Sequence, residues 1–284
     1  MRATSDREQG TMSIEARSAF GDPAEGGAGA TSAAGTQTLL RGLKVLECVA
    51  AGTHDVQGIA ERLGTPRSTT HRILSSLVAA KYLHHLPHKG YLLGPMPIYL
   101  GQRALEQRPL VAMAQPHCEA LSRQTGDTVH LGIADGSEVV YLLKISGTRG
   151  FEMRSRVGQR MPLATTGIGK ALMLGLPEPR WRELHEAALA LNARSPDRPP
   201  ALPWEPYAER MRAYRARGVV FDLEENEVGI RCAGAPVHDR GGRVVAAISV
   251  ASAAPFMPEE RLEEVAPLVR ATAEAVAREL GWTG

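Results

Sequence analysis

Apolar residues return every three or four positions in three successive blocks near the start of the chain. Leu39, Leu40, Leu43, Val45, Leu46, Val49 and Ala50 form the first, Ile59, Ala60 and Leu63 the second, and Ile73, Leu74, Leu77 and Val78 the third. That period is one face of an α-helix, so the spacing predicts helices over 38–51, 55–63 and 67–77. Gly64 supplies the backbone freedom that ends the second helix. Pro66 suits the first turn of the third, where a missing N–H costs nothing. On the opposite face of that third helix Ser68, His71, Arg72 and Ser75 fall at i, i+3, i+4 and i+7. Residues 84–93 read as two short strands about a turn at Pro87 to Gly90.

Beyond residue 95 the periods mix. Residues 97–106 and 109–125 have helical spacing; the first reads as a linker helix within 96–108, and Gly126 ends the second. Strands are expected over 128–134, 138–145 and 151–156, the first two joined by a turn at Asp135-Gly136. Helices are expected from Gly167 to Leu174, over 181–191 and over 207–217, with prolines at 196, 199, 200, 203 and 206 making 192–206 a loop. Strands over 219–222, 229–237 and 244–251 precede a closing amphipathic helix over 258–280. Hairpins mixed with helices predict an α+β class. The expected architecture for 109–284 is a mainly antiparallel, curved sheet flanked by helices, which can cup a small ligand. Residues 1–35 are rich in Gly, Ala and Ser and carry few large apolar groups, so a disordered tail is expected. Met12 could serve as an internal start.

Over 36–95, a short helix, a tight turn, a second helix and a hairpin make the layout of a winged helix-turn-helix that reads DNA. Arg67, Ser68, Thr69, His71 and Arg72 would meet the major groove, with Arg67 or Arg72 suited to guanine and His71 to base or phosphate. Lys89, beside His88 at the wing tip, would meet phosphate. An ordinary helical hairpin with a solvated polar face is the plainer alternative. Charge favours DNA. The whole chain is only +2, but 36–95 holds seven Lys/Arg against three acids, +4, while 96–284 holds twenty-three of each. A basic module on a neutral body is the footprint of phosphate neutralisation.

Composition narrows the remaining classes. Aromatics are 5% of the chain, too few for base stacking on aromatic platforms. Cys48, Cys118 and Cys232 are odd in number, far apart and without C-x-x-C spacing, which fits a reducing cytoplasm and neither a disulfide framework nor structural zinc. The longest apolar run, 244–254, is too short to span a bilayer, and no secretion signal precedes the first block. A cytoplasmic protein with no membrane partner, no metal and no cofactor is expected.

The motifs, taken in order, resemble the IclR-type (isocitrate-lyase-regulator-like) bacterial transcription factors over residues 36 to about 282. They are Pro66-Arg-Ser-Thr-Thr-His-Arg-Ile-Leu74; Ser155-Arg-Val-Gly158 leading to Pro162; Thr166-Gly-Ile-Gly-Lys-Ala-Leu172; and Arg217-Gly-Val-Val-Phe-Asp-Leu-Glu-Glu225. Gly229, Cys232-Ala-Gly-Ala-Pro-Val237, Asp239, Gly242 and Val245-Ala-Ala-Ile-Ser-Val250 follow. The resemblance implies a winged DNA-binding domain, a linker helix and a GAF-like effector domain. It also implies a homodimer, often paired into a tetramer, that binds double-stranded operator DNA under small-molecule control. Positions matching the family's ligand pocket are Met153, Thr165, Thr166, Gly167, Ile168, Asp222, Cys232, Ser249 and Ala251. Residue chemistry supports part of this. Residues 165–170 open a helix with two hydroxyls and backbone N–H groups, a seat for a carboxylate, so a small keto, sugar or aromatic acid is favoured. Cys232 and Met153 also read as core, and Ser249 as bonded within its sheet. Ala164 stands where many members carry a polar residue such as His, so that donor is missing.

Other functions were open to the sequence. A redox-sensing regulator would use Cys232, next to Arg231. An enzyme would pair Cys232 with His238 or His130. Cys232 and His238, six apart on a straight strand, lie ~20 Å apart at about 3.3 Å per residue, too far for proton transfer. No G-x-S-x-G, H-E-x-x-H or P-loop pattern occurs, so no catalytic residue is assigned. The large neutral second part, with its anion seat, argues against a purely architectural DNA protein.

Overall fold

The computed structural model describes residues 34–150, 153–192, 199 and 202–284. Within these the chain divides into two compact units, 34–112 and 113–284. The expected tail falls mostly on 1–33, outside the described residues.

In the first unit α1 (Ala34–Ala50), α2 (Val56–Leu63) and α3 (Arg67–Ala79) precede a hairpin of β1 (Leu83–Leu86) and β2 (Gly90–Leu93). Asp55 caps α2 by accepting from the Gly58 N–H at 2.8 Å, and Gly64 ends it in the left-handed conformation at φ 60°. The apolar stripes meet as the sequence pattern requires: Val45, Val49, Ile59, Ile73, Leu74, Leu83 and Tyr91 form one core. His54 ties the hairpin to that core. Its carbonyl accepts from Tyr91 N at 2.8 Å, and Gly90, at φ 74°, passes so close to it that a Cβ would collide. α4 (Pro95–Glu106) follows, with no buried residue; Ile98 and Tyr99 are well exposed.

α5 (Pro109–Thr125) leads into the second unit. Its sheet places β5 (Arg160–Pro162), β4 (Glu138–Ile145), β3 (Thr128–Asp135), β8 (Val244–Ala253), β7 (Ile230–His238) and β6 (Val220–Leu223) side by side in that order, every pair antiparallel. Between the strands run α6 (Gly167–Met173), α7 (Glu178–Asn192) and α8 (Trp204–Arg217), and α9 (Glu259–Glu279) closes the chain against β7 and β8. A Cβ on Gly234 would lie 2.8 Å from the Gly167 carbonyl oxygen, so α6 starts almost in contact with the sheet.

Two expectations are corrected. The strand expected over 151–156 falls partly outside the described residues, and 153–156 form no strand. Lys144 on β4 takes the carbonyls of Met153 and Ser155, at 2.6 and 2.9 Å, groups that strand pairing would need, and the edge strand comes later as β5. The loop expected over 192–206 is shorter at its C-terminal end, because α8 starts at Trp204 and seats Pro206 in its first turn. Residues 193–198, 200 and 201 of that loop lie outside the described residues.

Candidate functional site

On α3, Arg67, Ser68, His71 and Arg72 are exposed, and Thr69 is half-buried on the flank that, with Arg72, borders α1. Thr70 faces inward. Its hydroxyl meets that of Thr65 at 2.9 Å and the Pro66 carbonyl at 3.3 Å, fixing the start of α3 on the turn. The wing tip bends through His88 at φ 65°, leaving Lys89 exposed. Among the described residues, none of the seven cations of 36–95 forms an ion pair. A surface of uncommitted cations beside exposed hydroxyl and imidazole groups is equipped to neutralise phosphate and reach base edges.

The second unit holds a cavity of about 70 Å³ between the sheet and the start of α6. Strand register builds its floor. Asp222 on β6 stands opposite Cys232 on β7, which stands opposite Ala251 on β8, while Ser249 stands opposite His130 on β3. Side chains alternate along a strand, so one face collects His130, Tyr141, Cys232, Ser249, Ala251 and Asp222. Thr166, Gly167 and Ile168 from the start of α6 and Met153 complete the wall. Gly167 is required there, since a Cβ would collide with the Cys232 sulfur. Eight of the nine positions singled out in the sequence thus share one cavity. Thr165 sits behind it, buried, with its hydroxyl donating to the Asn226 side-chain oxygen at 3.4 Å. Arg154, Ser155, Gln159, Asn226 and Glu227 also line the space, as do His130 and Tyr141, which sequence reasoning did not assign.

The start of α6 offers fewer donors than its sequence suggests. The Thr166 hydroxyl accepts from Gly169 N at 3.0 Å, and the Gly167 backbone lies against the Cys232 sulfur. The cavity's other polar groups come from the sheet and from the loop residues 154–159 and 226–227. Burial, with Lys144 nearby, lowers His130 to about 3, so its imidazole is neutral, and its Nε2 meets the Ser155 hydroxyl at 2.7 Å. Burial raises Asp222 to about 7, with Lys170 opposing that rise. Burial also lowers Lys170 to about 8. Lys170, fully enclosed, pairs with Glu225, which Arg210 also reaches at 3.1 Å. These pairs hold the 224–227 turn over the cavity, and Asp222 supports it by accepting from Glu225 N at 2.8 Å.

The thiol readings lose their chemistry here. Burial, then Asp222, pushes the Cys232 thiol up, so it keeps its proton. The Arg231 guanidinium that might have activated it pairs instead with Glu224 at 2.9 Å. His238 stacks on Trp282, ring centroids 4.9 Å apart. Among the described residues no cluster of three or more His, Cys, Asp or Glu could hold a metal, and no helix is long and apolar enough to cross a membrane.

A winged reading head joined to a ligand-sized cavity in a separate unit defines a DNA-binding transcriptional regulator. The chain matches the IclR helix-turn-helix domain over residues 38–87 and the bacterial transcriptional regulator IclR C-terminal domain over 102–278, and it belongs to that family. It is 30% identical over 258 residues to the DNA-binding transcriptional repressor YiaJ of Escherichia coli, covering 88% of this chain and 90% of that protein. It is 32% identical over 232 residues to the regulator KdgR of the same species, covering 79% and 84%. The crystal structure of Thermotoga maritima IclR superposes with a TM-score of 0.71 at 29% identity, covering 87% of this chain and 99% of that one.

Proposed function

We propose that this regulator's affinity for operator DNA is set by a small organic acid bound in the cavity of 109–284. The carrying observation is that cavity itself: a small, partly open space lined by buried hydroxyl, imidazole and carboxyl groups. At about 70 Å³ it favours a short aliphatic acid over an aromatic one. Met153, Thr166, Gly167, Ile168, Asp222, Cys232, Ser249 and Ala251 form the contact surface, and Thr165 supports it from behind. Arg67, Ser68, Thr69, His71 and Arg72 read the major groove, and Lys89 holds phosphate. Residues 36–95 act as the DNA-binding domain and 96–108 as a linker. Two copies would set their recognition helices in successive major grooves, about 34 Å apart, on a palindromic operator. A homodimer, or a pair of dimers, fits this use, and the exposed Leu39, Leu40, Ile98 and Tyr99 suit burial against a second copy. The role is regulatory and non-enzymatic, in the cytoplasm.

Fluorescence-anisotropy titration onto DNA upstream of its own and neighbouring genes, at two salt concentrations and with a panel of acids, tests this. Tight, site-selective binding that one acid shifts is the expected result. Weak, salt-labile binding to any DNA, indifferent to every acid, would overturn it.

A further inference from the structure

We propose that Asp127 is a positioning residue that couples the acid cavity to α5: occupancy of the cavity shifts the Asp127–Arg149–Arg261 cluster, and that cluster sets where α5 ends. This rests on the acid-effector reading above and gives residues outside the cavity a part in its regulation.

Asp127 stands between the end of α5 and the start of β3, with its side chain fully enclosed. Two guanidinium groups from distant parts of the chain reach it. Arg149, from the loop after β4, donates from Nε to Oδ1 at 2.7 Å, and Arg261 on α9 donates to Oδ2 at 3.1 Å. Each also donates to the Thr125 carbonyl at 2.8 Å, one of the last carbonyls of α5, which have no partner within the helix. The Ser122 hydroxyl, one turn earlier, donates to the Asp127 carbonyl at 3.0 Å. One carboxylate therefore ties the end of α5 to β3, to α9 and to the loop after β4. Ion pairs this buried add little net stability, because desolvation offsets their attraction. What this cluster supplies is a defined geometry for the helix end.

The cluster adjoins the cavity. Met153 and Ala251 line the cavity on one side and, on the other, a small cleft that Gly126, Asp127 and Arg149 also line. A molecule that displaces the Met153 side chain therefore presses on the cluster. The cluster also has a second arrangement open to it. Arg261 meets Asp127 through one terminal nitrogen, and its buried Nε has no partner among the described residues. A buried donor left unpaired is costly, and a guanidinium pairs best with a carboxylate through two nitrogens. A small shift of Asp127 against α9 recruits that Nε, giving a better-paired state that a ligand can favour. α5 runs back from Thr125 to Pro109, so a displaced end is carried along it towards α4.

The test titrates the full chain onto a duplex from upstream of its own gene, without acid and with saturating pyruvate, lactate or propionate. Acid binding is measured separately by calorimetry. The wild type is expected to change its DNA affinity at least about fivefold with the acid it binds most tightly. Asp127→Asn should bring that ratio below about twofold while its affinity for the acid stays within about threefold of the wild type. Arg149→Met, which removes a partly exposed cation from the cluster, should do the same, and it decides the question if Asp127→Asn does not fold. A merely structural role would lower the melting temperature and leave the ratio intact. Variants that keep the wild-type ratio, or that lose acid binding itself, overturn the coupling role while the acid reading stands. If no acid shifts DNA binding by the wild type, the acid reading falls and this inference falls with it.

Discussion

Gly167 shows how much one absent side chain decides. A Cβ there would drive into the Cys232 sulfur. Gly167→Ala should therefore push α6 off the sheet and cost ~1–3 kcal/mol of stability. Urea denaturation measures this; an unchanged midpoint would mean the cavity wall yields freely. Two buried groups lining the same cavity carry opposite pH signatures. His130, lowered to about 3, is neutral when folded, while the unfolded imidazole takes a proton near 6.5. The unfolded state then binds more protons, so this group subtracts stability as pH falls from about 6.5 towards 3. Asp222 runs the other way. Raised from 3.8 to about 7, it keeps a proton that the unfolded chain has released, so its contribution is lost as pH rises through that window. Denaturation midpoints across this range should show Asp222→Asn gaining on the wild type as pH rises. A difference that stays constant with pH would refute the assignment.

At the scale of elements, α3 and the wing divide the work of DNA binding. Arg72→Ala should cost ~1–3 kcal/mol and relax preference at one base if Arg72 reads an edge. Lys89→Ala should weaken binding to all sequences alike and reduce the salt slope by about 1, one phosphate contact. Salt-dependent titrations on matched and mutated sites separate the two; a base-specific loss at Lys89 would contradict the wing's assignment to phosphate. The first unit was largely legible because its signals are local. Asp55, Gly64 and the stripes through Ile59 and Ile73 each act within one turn of helix. The cavity was legible only through likeness to a family, since its floor depends on register between strands more than a hundred residues apart, such as His130 opposite Ser249. Tyr141 illustrates the gap: in sequence it is one more residue of a hydrophobic strand, and only pairing with Gly132 brings it to the cavity face. The strand expected through 153–156 failed for a similar reason. A lysine on the neighbouring strand captures its carbonyls, a tertiary contact that no local pattern carries.

For the molecule as a whole, the question is how a small acid in one unit changes what the other does to DNA. Ligand can act only by favouring one arrangement of the reading heads, and a typical coupling is ~1–3 kcal/mol. α4 joins the wing to α5, along which the chain passes into the second unit, and it has no buried residue, so its own helical integrity sets its stiffness as a lever. Gly101 sits midway along it, with open space where a Cβ would be. Gly101→Pro should interrupt the helix at a cost of ~3 kcal/mol relative to alanine, while Gly101→Ala should stiffen it by up to ~1 kcal/mol. Gly101 belongs neither to the cavity nor to the DNA-facing surface, so the affinity for acid should stay within about twofold in both variants. The ratio of DNA affinities with and without acid should collapse towards one in the proline variant and persist in the alanine variant. Anisotropy titrations with and without acid, alongside direct acid binding, read these quantities separately. If the proline variant responds to acid as the wild type does, the signal does not travel through α4 and must pass by contact between the units or between copies of the chain.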